Sequence, residues 1–274
     1  MSAMKISGTL VLLGAGKMGG AMLEGWLAGG VDAARVAVLE PKPAEALLAL
    51  QERYSFRLNP DAASIRDAEV IVIAVKPQVM DEVLPPVAPM ARAGTLILSV
   101  VAGKTIAGIA RHFAEGVAII RTIPNTPAAV GRGITAMAAS PEVTPAQVRL
   151  AEGLLSAIGE VVTVGDESLI DAATAVSGSG PAYVFYLTEC LAAAGEKQGL
   201  PPDIAEKLAR ATVAGAGELM RVTGTDAGTL RQNVTSPKGT THAALQVLMA
   251  DTGLKPLLTE AVAAACARSR ELAK

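Results

Sequence analysis

The sequence has little sulfur, few aromatic rings and no concentration of charge of one sign. Only two cysteines occur in 274 residues, Cys190 and Cys266, with no CxxC spacing and no histidine placed as a ligand. A single disulfide would be possible in principle, but two isolated thiols set among alanines and leucines fit a reducing cytosol at least as well, and both read as buried structural residues. No cluster has metal-ligand spacing, so no metal is expected. Aromatic residues make up 3% of the chain against 51% hydrophobic, with alanine abundant, the balance of closely packed helices and buried parallel strands. The formal net charge is −2 and there is no basic run, which removes the electrostatic footprint of a nucleic-acid binder. No stretch of ~20 apolar residues is free of Gly, Pro and charge, so no transmembrane helix is expected. The start, Lys5 and then Leu10 to Leu13, has the outline of a secretory signal, but the apolar run breaks into Gly14, Gly16, Gly19 and Gly20 and reads as a strand and loop. A cytoplasmic globular protein is the expectation, long enough for two domains.

Positively, residues 1–165 repeat short Val- and Ile-rich runs separated by helical segments. The runs are Thr9 to Leu13, Arg35 to Leu39, Val70 to Val75, Thr95 to Val101 and Val117 to Ile123, with weaker ones at Ile134 to Ala139 and Glu160 to Val164. Most are apolar throughout, as strands covered by helices on both faces are. The economical fold class is α/β: an N-terminal Rossmann domain with a mainly parallel, doubly wound sheet. After Gly165 the texture becomes long Ala- and Leu-rich helical patterns, so residues 166–274 are expected to be all helical. The segments Ala182 to Gln198, Asp203 to Arg221 and Lys255 to Leu272 are apolar around much of their circumference, more than one small domain could bury. A homodimer made through this half would cover them.

The run Gly14-Ala15-Gly16-Lys17-Met18-Gly19 follows the first strand and opens a helix reaching about Leu27. In such a GxGxxG turn the first glycine permits the tight bend, the second lets backbone N–H groups approach a pyrophosphate, and the third lets helix and sheet lie close. Glu40, about 20 residues on, ends the second strand where an acidic side chain accepts from the adenosine ribose hydroxyls. A carboxylate there favours NADH, although Lys42 stands near enough to offset the charge of a 2′-phosphate, which keeps NADPH open. Ala74-Val75-Lys76-Pro77, Val100-Val101-Ala102-Gly103 and Pro124-Asn125-Thr126-Pro127 close further strands at the same edge, although prolines there also serve as plain terminators.

Together GAGKMG, AVKP, PNTP, SGSGPAY at Ser177 to Tyr183 and NVTSPKGTT at Asn233 to Thr241 closely resemble the pyrroline-5-carboxylate reductase family, the last enzyme of proline synthesis. The similarity runs from the first strand to the final helix. It implies a Rossmann domain followed by an interlocked helical dimerisation domain, with reduction of L-1-pyrroline-5-carboxylate to L-proline by NADPH or NADH. By the resemblance the cofactor touches Leu13 through Met18, Ala74 through Pro77 and Val100 through Ala102, with Asn233 also near it. The substrate is implied to lie against Ser236, Gly239, Thr240 and Thr241, with Glu167 contributing, and dimers could assemble into a higher oligomer. Three departures stand out: Lys238 replaces a usual glycine and is followed closely by an unusual His242, Ala62 replaces a frequent asparagine, and Glu40 replaces small polar or basic residues.

Hydride addition to a protonated iminium discharges a cation, so the reaction does not require the strong general acid that a carbonyl would; the cofactor carries the difficult chemistry. The segment Ser236 to Thr241 precedes an alanine-rich helical stretch to Ala250, so its backbone N–H groups and helix dipole suit the substrate carboxylate, with Thr241 as the catalytic hydroxyl at the ring nitrogen. Spacing alone reads this segment as an ordinary helix cap; the resemblance decides otherwise. The account expects the glycine turn and this cap to face one cleft. His112, among Arg111, Phe113 and Glu115, reads as a surface or capping residue, and His242 as a polar helix position. Two alternatives remain: a 3-hydroxyacid dehydrogenase-like enzyme, weakened because the helix starting near Gly178 has no lysine until Lys197, and a non-catalytic dinucleotide sensor.

Overall fold

The computed structural model describes residues 6–273; Lys5, read above with the opening segment, lies outside them. Eight strands, β1 (Thr9–Leu13), β2 (Val36–Leu39), β3 (Arg57–Leu58), β4 (Ala68–Ile73), β5 (Leu96–Ser99), β6 (Ala118–Ile123), β7 (Gly133–Ala139) and β8 (Gly159–Thr163), form one sheet in the order β3-β2-β1-β4-β5-β6-β7-β8. Every neighbouring pair is parallel except β6 with β7. Chain order reverses between β1 and β4, the switch point at which ligands of such sheets gather.

The helices of this half are α1 (Lys17–Ala28), α2 (Glu45–Tyr54), the single-turn α3 (Met80–Val83) and α4 (Ile106–Ala110), α5 (Pro145–Ser156) and α6 (Leu169–Ala173). They cover both faces. Leu10 and Leu12 of β1 pack with Met22, Leu23 and Trp26 of α1 on one face, while Val11 and Leu13 pack with Met80 and Leu84 on the other. A strand buried on both sides cannot alternate in polarity, which is why its five residues are all buried. Trp26 is fully buried and donates its Nε1–H to the carbonyl of Leu154 at 2.8 Å, locking α1 to α5.

The long helices follow: α7 (Gly180–Lys197), α8 (Pro202–Thr223), α9 (Ala227–Asn233), α10 (Thr240–Leu248) and α11 (Leu254–Leu272). Between α6 and α7 the backbone widens into a π turn over Thr174–Gly178. By contacts the chain forms two compact units, one reaching Gly178 and taking in the residues from Cys266 onward, the other spanning Ser179–Ala265. The change of texture after Gly165 therefore precedes the contact boundary, because α6 packs Ile170 against Ile123, Ala136 and Ala138 of the sheet.

The reading of the cysteines as buried is corrected. Cys190 is exposed on α7, since that helix buries none of its residues within one chain, and Cys266 is partly exposed. His112 lies at the surface with 16% of its side chain exposed, its Nε2 2.9 Å from Oδ1 of the exposed Asp81. The two-residue strand β3 was not anticipated; it is too short for a hydrophobic pattern to reveal.

Candidate active site

In the first unit the strand register brings separate motifs to one edge. Leu13 pairs with both Leu39 and Ile73, and Ile73 pairs with Ser99, so four strands finish level, while Ser99 pairs with Arg121 of β6, which runs on to Ile123. The ladder continues past them: Gly14 N donates to Leu39 O at 2.9 Å, Ala74 N to Leu13 O at 2.8 Å and Val100 N to Ile73 O at 3.0 Å. Leu13 through Met18, Glu40, Ala74 through Pro77 and Val100 through Ala102 thus begin from a common rim, as the spacing suggested.

Each glycine of the turn has its own geometry. Gly14 has φ +89°, and a Cβ there would come within 2.8 Å of Ala74 O. A Cβ on Gly19 would collide with Gly14 O, so the helix lies against the turn at van der Waals distance. Gly16, the N-cap of α1, has nothing within 4 Å of where its Cβ would be, leaving open space above a helix N-terminus that carries no side-chain cap and no acidic residue in its first turn. Such an end attracts an anion, and its bare backbone lets a pyrophosphate approach. The turn therefore fits a dinucleotide.

Glu40 is fixed beside it. Its Oε2 accepts from Ala15 N at 3.0 Å and its Oε1 from Lys42 N at 3.0 Å. Its backbone is clamped by Asn59, whose Oδ1 accepts from Glu40 N at 2.8 Å and whose Nδ2 donates to Glu40 O at 2.9 Å. Asn59 was not foreseen; it follows the short β3 and takes φ +49°, a conformation asparagine tolerates well. Lys42 is exposed, as are Gly16 and Lys17.

Level with these strand ends lies a buried network. Arg121, on β6, is 4% exposed, and its Nη1 donates to Glu167 Oε1 at 2.9 Å while Nη2 lies 3.9 Å from Asp171 Oδ1. Ser269 Oγ donates to the same Asp171 oxygen at 2.6 Å. Glu167, expected beside the substrate, thus has its partners on the sheet and on α4. A charged residue inside an otherwise apolar run was the sequence signal for this network, because a buried guanidinium requires acidic partners. Asn125 of the PNTP turn joins two further motifs, donating to Ser177 O in the π turn and accepting from Ile134 N, both at 3.0 Å.

In the second unit Asn233 ends α9, and Ser236 to Gly239 form the turn into α10, where Gly239 N donates to Ser236 O at 3.0 Å. Gly239 is an extended N-cap; α10 has no side-chain cap and no acid in its first turn. Thr240 and Thr241 are its first two residues, followed by the exposed His242. Lys238 adopts φ +59°, so the loop keeps the left-handed step that glycine takes freely while carrying an exposed ammonium instead.

A pyrroline-5-carboxylate reductase from Synechocystis is 46% identical over 82% of this chain and 83% of its own length, and one from Pseudomonas aeruginosa is 37% identical over 97% of each. The chain belongs to the pyrroline-5-carboxylate reductase family. Residues 167–272 match the pyrroline-5-carboxylate reductase dimerisation family, and residues 9–103 match the NADP oxidoreductase, coenzyme F420-dependent family. Among solved structures, a pyrroline-5-carboxylate reductase from Coxiella burnetii superposes with a TM-score of 0.91 at 33% identity, covering 98% of this chain and all of that one. The Plasmodium falciparum pyrroline carboxylate reductase, solved with NADP bound, superposes with a TM-score of 0.79 at 26% identity and covers 98% of this chain and 99% of that one.

Proposed function

We propose that this protein reduces L-1-pyrroline-5-carboxylate to L-proline, with NADPH or NADH as the hydride donor, as a cytoplasmic homodimer. Membership of the reductase family supports the reaction, and the observation that carries the residue assignments is that the glycine turn and the Ser236–Gly239 turn each lead into an uncapped, acid-free helix N-terminus, α1 behind Gly16 and α10 behind Gly239. The first suits a pyrophosphate and the second a carboxylate.

In this reading residues 1–165 bind the dinucleotide and residues 166–274 provide the substrate cap and the dimer surface. The substrate carboxylate lies against Gly239 and is held by the backbone N–H groups of Thr240 and Thr241, helped by the Ser236 hydroxyl and the positive end of α10. Lys238 adds a cation to the same loop. When bound, the dinucleotide supplies the hydride. The Thr241 hydroxyl orients the ring nitrogen, and because the ring enters as an iminium, no side chain need deliver a proton to it. Orientation of the reacting carbon is the protein's main contribution, worth roughly 7–11 kcal/mol in well-oriented systems.

The homodimer is supported by what α7 leaves uncovered. None of its residues is buried, and Phe185 and Tyr186 are 61% and 67% exposed. A single chain with that surface in water would be an aggregation hazard. Hydrodynamic mass of a dilute sample should read as two chains or a multiple of two, and a stable monomer would end this part of the reading.

The activity is tested by following imine-dependent oxidation of NADH and NADPH. The Thr241→Ala substitution should lower kcat/KM roughly tenfold to a hundredfold in a folded dimer, the range for a hydrogen bond to a charged group. Unchanged kcat/KM would remove Thr241 from the site. Tight dinucleotide binding without turnover by the unmodified protein would favour a non-catalytic sensor.

A further inference from the structure

The reaction as proposed has no use for a buried guanidinium, yet Arg121 sits at the rim of the sheet paired in register with Ser99, the residue before the Val100–Ala102 segment. Its partner Glu167 does something else besides neutralising it. The oxygen that takes Arg121 Nη1 also accepts from Ile106 N at 2.7 Å, and Ile106 is the first residue of α4. The dinucleotide segment therefore has two anchors. At its start Val100 N donates to Ile73 O at 3.0 Å and Val101 N to Ser99 Oγ at 3.3 Å. Its far end is closed by the Thr105 hydroxyl, which caps Gly108 N at 3.0 Å, and by the Glu167 carboxylate.

We propose that Glu167 is a positioning residue for the dinucleotide, holding the Val100–Thr105 loop at the height the nicotinamide half requires, with Arg121 as its brace. This replaces the substrate contact that the family resemblance implied for it, and it rests on the proposed function only in assigning that loop to the cofactor. Arg121, Asp171 and Ser269 fix Glu167 from behind: the guanidinium lies between both carboxylates, and Ser269 Oγ bonds Asp171. A brace needed for stability alone could be apolar at less desolvation cost. A charged one sets direction, because a carboxylate oxygen accepting two donors at 2.7 and 2.9 Å has little freedom to drift.

The test uses the full chain and measures dinucleotide Kd by calorimetry alongside kcat and KM for the imine at saturating dinucleotide. Glu167→Ala should raise dinucleotide Kd about tenfold, the worth of one charge-assisted hydrogen bond, with imine KM unchanged. Glu167→Gln, which keeps an oxygen for Ile106 N–H but gives up the charge, should recover only part of this and leave Kd raised about threefold over the unmodified value. A folded Glu167→Ala protein with unaltered dinucleotide Kd, or one in which imine KM moves instead, overturns the proposal. If the alanine variant does not fold, Glu167→Gln decides: Kd raised about threefold with imine KM unchanged supports the role, and Kd unchanged refutes it. Calorimetric Kd is readable without turnover, so failure of the proposed reaction would appear separately, as an unmodified protein that binds dinucleotide and leaves the imine untouched.

Discussion

Replacing Glu40 with glutamine separates the two dinucleotides on electrostatic grounds. The carboxylate is held by two backbone N–H groups, one in the glycine turn and one at Lys42, so it cannot swing aside when a ligand arrives. A 2′-phosphate on the adenosine ribose would bring a second negative group beside it. Two unit charges about 4 Å apart at an effective dielectric near 20 repel by about 4 kcal/mol. Partial exposure of Glu40, the neighbouring Lys42 ammonium and salt reduce this to roughly 1–2 kcal/mol. Glu40→Gln keeps an acceptor for one of the two N–H groups and removes the charge. The ratio of kcat/KM for NADPH over NADH should therefore rise about tenfold, and more at low ionic strength. The assay is a paired measurement of both dinucleotides with one imine concentration series. A ratio that stays within about twofold, or strict NADPH dependence of the unmodified protein, would show that the Glu40 charge does not govern the choice of dinucleotide.

Three further substitutions probe other links. Lys238→Gly relieves a left-handed residue costing about 1–2 kcal/mol and gives back roughly 0.5–1 kcal/mol in unfolded-chain entropy, so the urea midpoint should rise slightly while imine KM increases with loss of the cation. Asn125→Ala strands Ser177 O and Ile134 N and should cost about 2–4 kcal/mol of unfolding free energy by urea titration. Asp81 is held below the ordinary aspartate range first by the His112 hydrogen bond and then by Lys104. A depressed folded-state value means that the pairing stabilises above the unfolded aspartate value and is lost as pH falls through the folded one, so His112→Ala should move acid unfolding, followed by circular dichroism, to higher pH.

Seven of the eight strands were legible, the central ones because strands under two helical layers are continuously apolar and the largely exposed β8 through its Val161-Val162 pair alone, and β1 falls on the run from Thr9 to Leu13 without displacement. Other ends differ by one or two residues where side chains intervene. Asp32 caps a short turn through Ala34 N, so Arg35 precedes β2 rather than belonging to it. The glycine turn was legible because Gly14 and Gly19 have steric reasons that no other residue meets, while Gly16 leaves its side of the turn open. What the motifs could not reveal is the support beneath them. Asn59 acts across a two-residue strand, and Arg121, Glu167, Asp171 and Ser269 come together from β6, the loop before α6, α6 itself and the end of α11. Long-range polar contacts of this kind leave no period in the sequence, only an unexplained charge inside an apolar run. Cys190 differs for the converse reason: an apolar pattern on α7 says that a surface is suited to be covered, without saying that this chain covers it.

Hydride transfer to the imine carbon is read out by giving the protein 1-pyrroline-5-carboxylate with dinucleotide deuterated at the transferable position of the nicotinamide. L-Proline should then carry one deuterium on the former imine carbon, with one oxidised dinucleotide formed per proline. Proline formed without label, or dinucleotide oxidised without any proline, would contradict that transfer.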